Sequence, residues 1–370
     1  MKKLALLLVL FAQFVSAQEL ALVRKDGLFG YISKNGEFAI KPRFKESKNF
    51  SDGLAAASEN GKWGFINSKG DWVIQPTFND AKYFNSGVCM VSKDKNWVYI
   101  NKKGEVLKAP TSDKLYDFED GVAILRKGDK IGLLGPKMNV VVEPKYDMIK
   151  SFENGYARVK NGGRWGIIDK TGKVVVEIIY DEVGNFHKNT TWVKNGTAFG
   201  LIVGGKFKAV DGAEKIWDFH SQDLTYAKKN GKVGFIDLKG NWAIEPKFDK
   251  ARAFSKNLAP VCVGSKWGYI NTKGTIVIEP QFKDAEIFSE NGLAPIKEKN
   301  WGFINESGKI VIPTQYGITS GGIFAMFQDQ QKGFIDGVAR VKNESKWGFL
   351  KPDGTVLGKQ WYDNAEPFQK

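Results

Sequence analysis

The 370 residues carry 55 Lys and Arg against 41 Asp and Glu, a formal net charge of +14, with 13% aromatic residues, 41 Gly, 2 His and 2 Cys. So few imidazoles and thiols exclude most metal-centred or disulfide-stapled designs, and they weigh against catalysis. The positive balance favours anionic partners.

The chain opens with Met1-Lys2-Lys3 and an apolar run from Leu4 to Val15, broken only by Gln13 and ending in Val15-Ser16-Ala17. This pattern reads as a Sec signal peptide, residues 1–17, cleaved after Ala17. A transmembrane anchor would need about 20 apolar residues. No Cys lies near the cut to carry a lipid. The remainder, 18–370, is expected to be exported to the periplasm, the outer surface or the medium, with no transmembrane segment.

The rest of the chain is periodic. One column holds Gly30, Gly64, Val98, Gly132, Gly166, Gly200, Gly234, Gly268, Gly302 and Gly348; successive members are 34 residues apart until the last step, which is 46. The aromatic column Phe44, Phe78, Tyr146, Tyr180, Phe248, Phe282, Tyr316 and Tyr362 jumps at the same place, so a 12-residue insertion lies within 317–332. Ten units result, starting near residues 20, 54, 88, 122, 156, 190, 224, 258, 292 and 338, in a single array.

In the unit Leu54 to Gly87, short β-rich runs flank Asn60-Gly61 and Lys69-Gly70, which are hairpin turn signals. The spacing predicts an all-β fold of three-stranded antiparallel meanders, with strands near Leu54 to Ser58, Lys62 to Asn67 and Trp72 to Gln75. Pro76 should end the third strand, since it cannot donate to a ladder. The connector Thr77 to Gly87 is either a crossover loop or a short fourth strand. A unit this small cannot bury its own apolar face, so each must lean on its neighbours. The stack is an open β-solenoid or superhelix, or a propeller-like ring. Because the array begins at a first strand and ends after a connector, with no visible offset, the open or loosely closed form is slightly favoured.

The second strand reads KWGFIN at Lys62 to Asn67, KWGYIN at Lys266 to Asn271, NWGFIN at Asn300 to Asn305, RWGIID at Arg164 to Asp169 and KWGFLK at Lys346 to Lys351. With the downstream KG-x-x-VI-x-P, this resembles the bacterial WG-repeat (KWG-repeat) proteins over essentially the whole mature chain. The resemblance implies a β-rich repeat scaffold and almost no mechanism. The repeat positions that carry it are Trp63 and Gly64, Trp97, Trp165 and Gly166, Trp267 and Gly268, Trp301 and Gly302, and Trp347 and Gly348. Phe29, Ile131, Phe199 and Val233 depart from the Trp, Val98 departs from the Gly, and the sixth unit, Thr190 to Asp223, loses most of its third-strand pattern. Gly is kept more strictly than Trp. That suggests a need for space at the backbone, with the aromatic of one unit packed over the Gly of the next and the Trp column buried.

Candidate contacts follow from the columns. Lys69, Lys103, Lys137, Lys239 and Lys273 recur in the second turn and would form a basic ridge; solvation and protection of strand edges are the plain alternative. Glu143, Glu177, Glu245 and Glu279 temper it. His187 and His220 follow connector phenylalanines in consecutive units, so stacking would bring them together; two histidines do not make a metal site, and neither metal nor cofactor is expected. Trp72 and Trp242 fall in an apolar column with Val106, Val174, Ile276, Ile310 and Val356, which reads as core. Trp192, Trp217 and Trp361 lie outside the repeat pattern and are candidates for exposed contacts. Cys89 and Cys262 differ in parity along the first strand and should be buried, unpaired thiols. In the insertion, Ile323, Phe324, Met326 and Phe327 could form an interface or fold back as a cap.

No nucleophile elbow, phosphate loop, dinucleotide fingerprint or HExxH motif is present. The expectation is a secreted, non-catalytic repeat scaffold that binds a protein partner or an anionic polysaccharide or other envelope component, with nucleic acid disfavoured. A lectin-like module, or a carbohydrate-active enzyme with paired carboxylates, is the competing reading.

Overall fold

The structure, a computed structural model, describes residues 19–317 and 332–370. The leader and most of the insertion, including Phe324 and Phe327, lie outside the described residues. Strands alternate with Gly-containing turns throughout, and the described strands form ten small antiparallel sheets. These are the blades of a ten-bladed β-propeller. They are numbered here by their second strands: Leu28–Ser33, Lys62–Ile66, Asn96–Asn101, Lys130–Leu134, Arg164–Asp169, Ala198–Val203, Lys232–Asp237, Lys266–Asn271, Trp301–Asn305 and Lys346–Leu350.

Each repeat supplies three strands to its own blade and sends its connector to the next. Asp80–Ala81, for example, follows the third strand Trp72–Phe78 of blade 2 but pairs with Val88–Lys93 of blade 3, through Asp80↔Ser92 and Ala81↔Val91. The connector is therefore a short strand in nine blades, the fourth strand in eight of them; among the described residues blade 4 lacks it, and blade 10 has its connector strand Phe334–Ile335 but no third strand. The same rule closes the ring. Asn364–Ala365, from the last connector, pairs with Leu20–Lys25 of blade 1. The backbone bonds Asp363 N–H to Arg24 O, Glu366 N–H to Leu22 O and Gln369 N–H to Leu20 O extend the seam. The ring is closed where the sequence slightly favours an open array; the offset between chain ends is one short strand, hidden in the connector.

The apolar core is divided among the joints. Ten clusters of buried side chains occur, each built from one face of a blade and the opposing face of the next. The cluster Phe349, Leu357, Tyr362, Ala21, Val23, Ile32 and Ala365 joins blade 10 to blade 1. At most joints an aromatic two residues after the Trp position meets the Phe of the next connector. The ring pairs are Tyr31–Phe50, Phe65–Phe84, Tyr99–Phe118, Phe235–Phe254, Tyr269–Phe288, Phe303–Phe334 and Phe349–Phe368, with centroids 4.7–5.5 Å apart. Alanines such as Ala55, Ala157, Ala259 and Ala294 on the first strands leave room for this packing.

The repeat glycine serves a different contact from the one expected. A Cβ on Gly64 would lie 2.5 Å from Ile74 O and 2.7 Å from Pro76 N, in the third strand of its own blade. There the register steps from Phe65↔Ile74 to Trp63↔Phe78, so the third strand arches across the glycine. Pro76 sits in this arch, inside the strand Trp72–Phe78, and does not end it. Its missing N–H costs nothing where the ladder is already broken. A Cβ on Gly166, Gly268 or Gly302 would meet the equivalent third-strand carbonyl oxygen of its own blade, that of Val176, Ile278 or Ile312, at 2.3–2.6 Å. Val98 is tolerated because the third strand of blade 3 is only Val106–Leu107 and makes no arch. Gly348 lies beneath the ring of Trp361, and Gly200 meets both third-strand backbone and the ring of Phe207, each aromatic coming from the same repeat as its glycine.

The tryptophan column is less buried than expected. Trp267 and Trp301 are buried, Trp63, Trp165 and Trp347 are half-buried, and Trp97 is 38% exposed. Each lies at the edge of a joint with a cation near its face: Lys48 on Trp63, Lys82 on Trp97, Lys160 on Trp165, Arg252 on Trp267, Lys297 on Trp301 and Arg340 on Trp347. The column of Trp72, Trp242, Val106, Val174, Ile276 and Ile310 is not core either. Val106, Val174, Ile276 and Ile310 are exposed and the two tryptophans half-buried, because the third strand is an edge strand. Its buried positions come two residues later, at Ile40, Ile74, Val142, Val176, Ile244, Ile278 and Ile312.

Two expected outcomes follow. Gly268→Ala should lower the melting temperature sharply, since the added methyl meets fixed backbone, whereas Val98→Ala should be mild; equal melting of the two would refute the arch. Phe288→Ala, at a wholly buried ring, should cost about 3–5 kcal/mol in denaturant unfolding, and Trp97→Ala less than about 1 kcal/mol.

Candidate functional site

Consecutive blades are also tied by charge. In blade 4, Lys130 pairs with Asp147 at 2.6 Å, and the other oxygen of Asp147 accepts the N–H of Gly162, in the hairpin of blade 5, at 2.8 Å. Lys232, Asp249 and Gly264 repeat this at 2.5 and 2.6 Å. Arg164, Asp181 and Gly196 form a third clamp, and Lys346, Asp363 and Gly27 form a fourth across the ring seam. The lysine before the aromatic is thus a structural tether. The paired cation, with help from the turn N–H, holds the carboxyls of Asp147, Asp249 and Asp363 below the usual range.

Within blades 7 to 9 this pattern breaks at the joint of blades 8 and 9. The position after the third-strand aromatic varies where no cation faces it, as at Lys45 and Gly317; where the second strand opens with a cation it holds Asp147, Asp181, Asp249 or Asp363, or Asn79, which accepts from Lys62, and only at the entry to blade 9 does it hold a cation, Lys283. Its counterpart on blade 8 is Lys266, so both members of the pair are cations. Neither ammonium has an ion-pair or hydrogen-bond partner among the described residues.

Lys283 lines an open cleft of about 720 Å³ that spans these three blades. Lys215, Trp217, Tyr226 and Lys228 come from blade 7, Asp249, Lys250, Arg252 and Trp267 from the passage into blade 8 and that blade itself, and Lys283 and Asp284 from blade 9. Trp217 stacks on Tyr226 with centroids 4.7 Å apart, and Lys215 Nζ lies 4.6 Å from the Trp217 centroid. Arg252 covers Trp267 at 4.5 Å, pairs with Asp284 at 2.8 Å and reaches Glu286 at 3.4 Å. Both acids of the cleft are therefore held by cations, Asp249 by Lys232 and Asp284 by Arg252. Among the described residues Lys215, Lys250 and Lys283 have no ion pair, and Lys228 is only within 4.0 Å of Glu214.

The other expected contact residues are scattered. Trp217 reaches the cleft, half-buried. Trp192 does not: its Nε1 donates to Asp218 at 2.6 Å and its ring packs at the joint of blades 6 and 7. Lys69, Lys103, Lys137, Lys239 and Lys273 are all exposed in second turns. Those turns share a rim with the connector turns, as the pairs Lys102–Asp52 and Lys170–Asp120 show. The cleft opens at the opposite end of the blades, by Gly231 of the first hairpin turn, so the ridge and the cleft are separate surfaces. His187 and His220 sit on adjacent blades. His187 stacks on Phe219 and lies 3.9 Å from Asp223, with burial and Lys188 lowering its pKa, while His220 is exposed. No group of three or more metal-ligating side chains occurs among the described residues. Cys89 and Cys262 are free and buried, facing the preceding and following blades respectively. Lys250 and Lys283 were not singled out in the sequence. The signal lay in the pairing: the residue 17 places after each cation that opens a second strand is Asp or Asn, except at Lys283.

If the clamps act as described, stability is present above the carboxylate range and is lost as pH falls through the lowered values of these aspartates. The melting temperature should be flat from about pH 8 to 5 and fall below about pH 4, and Asp249→Asn should weaken that acid dependence.

A family model described as a WG-containing repeat matches residues 29–63, 63–97, 99–130, 131–165, 165–196, 234–267, 267–300 and 301–317. It passes over 197–233, which carries the second and third strands of blade 6 and the connector and first strands of blade 7, and it ends at 317. A comparison with curated proteins finds no match. Among solved structures the chain is similar to a eukaryotic initiation factor, at 10% identity and a TM-score of 0.48, covering 95% of this chain and 98% of that one. It is also similar to the extracellular domain of the hybrid two-component system BT3049 from B. thetaiotaomicron, at 10% identity and a TM-score of 0.26, covering 96% and 60%. With the repeat model matching most of its length and a blade for every repeat, the chain belongs to the WG-repeat family.

Proposed function

We propose that the chain is a non-catalytic binding scaffold of the cell envelope that holds an anionic partner in the cleft of blades 7 to 9. The observation that carries this reading is the imbalance of the cleft: four lysines face two carboxylates, and both carboxylates are already neutralised by other cations. A surface with unneutralised, clustered lysines attracts polyanions. The commitment of Asp249 and Asp284 to structural pairs also supports binding over glycoside hydrolysis, which needs one carboxyl free to donate a proton and a second to act as base or nucleophile.

The test is retention on an immobilised acidic polysaccharide against neutral dextran, at low and high salt. Retention on the acidic matrix, weakened about 100-fold or more between about 50 and 500 mM salt, is expected for several lysine contacts. Salt-resistant binding, no binding, or release of sugar would overturn the proposal.

A further inference from the structure

We propose that Lys283 is a ligand-binding residue installed where the sister copies that face a cation place Asp or Asn, and that the ligand is a linear acidic polysaccharide laid across blades 7 to 9. This rests on the scaffold reading above and goes further, in naming the ligand's chemistry and the residue that selects it.

The clamps show what the fold gains at this position. An acid there satisfies a cation from the preceding blade, and in blades 5, 6 and 8 and at the ring seam it also accepts a turn N–H. Blade 9 forgoes the ion pair and sets Lys283 in the place opposite Lys266, like charge against like charge. Local rules broken without structural compensation are characteristic of functional positions. The position faces the one cleft described here that gathers unpaired lysines from three successive blades.

The chemistry of the lining selects the class of ligand. Lys215 and Lys228 on blade 7, Lys250 on blade 8 and Lys283 on blade 9 are separated around the ring, which suits an extended chain with repeating charges. They are lysines, point charges that do not impose a planar bidentate geometry, and carboxylate or sulfate groups satisfy them equally. The aromatic faces are already covered: Trp217 by Lys215 and Tyr226, and Trp267 by Arg252. No bare ring remains to stack a nucleobase, which disfavours single-stranded nucleic acid. The lining is dominated by charged side chains and offers little of the apolar surface that seats the aromatic or aliphatic anchor on which protein interfaces depend.

The decisive variant is Lys283→Asp, which places an acid opposite Lys266 as at the other clamps, with Lys69→Asp on the opposite rim as the charge-matched control. Binding to a polyuronate, a sulfated glycan, single-stranded DNA and poly-glutamate is measured by calorimetry, and melting is followed in parallel. The expected result is that K283D melts no lower than the parent and binds at least 10-fold more weakly to the polyuronate or the sulfated glycan, while K69D binds as the parent does. If the parent binds none of the four, the scaffold reading falls and this inference with it. If the parent binds but K283D binds equally well, or K69D loses as much, Lys283 is not the determinant. Destabilised K283D would overturn the idea that the fold prefers an acid there. Tighter binding to DNA or poly-glutamate, or full competition by a monomeric uronate at equal sugar concentration, would overturn the choice of a linear acidic polysaccharide.

Discussion

The structure depends on one contact made again and again between different parts of the chain: an aromatic ring on the second strand of a blade set against a connector phenylalanine of the next. A three- or four-stranded sheet of this size buries too little to stand alone. Each blade therefore draws its core from its neighbours, and the ring pairs add about 0.5–1.5 kcal/mol apiece beyond the area they bury. Where the second-strand aromatic is lost, the joint is rebuilt from other residues. At blades 5 and 6, Ile167 stands in the aromatic's place and Tyr156 meets Phe186 instead, at 4.6 Å.

Period and class were legible because the Gly and aromatic columns report constraints that recur identically in each copy. The role of the columns was less legible. Gly64 and its equivalents signalled close approach correctly, but a linear sequence does not say which backbone arrives, and it was the third strand of the same blade. The connector was ambiguous for a related reason. Asp80-Ala81 is too short to carry a strand signal, and its pairing partner belongs to the next repeat. Val106, Ile276 and Ile310 read as core from their apolar character alone, and burial depended on their being on an edge strand.

The candidate site shows the same division. Trp217 stood out as a departure in composition and does border the cleft, while Trp192 stood out equally and has a structural hydrogen bond. Lys283 looked ordinary among 55 basic residues. Its meaning came only after Asp147, Asp181, Asp249 and Asp363 had been shown to clamp successive blades, so that a residue of the opposite sign became an exception to a rule. In a repeated fold the structural requirement can be measured from the sister copies, and a functional residue is one that fails to meet it.

The seam between Leu20–Lys25 and Asn364–Ala365 also brings Glu19 within 3.3 Å of Lys370. The two ends of the described chain thus lie side by side, and the seam carries its own ring pair and its own clamp, as the most regular joint, that of blades 7 and 8, does. Nothing in the packing marks the present ends as privileged. Fusing them and cutting an exposed hairpin such as Asn60-Gly61 would yield a circular permutant with the same ten joints, its termini moved to the rim of another blade.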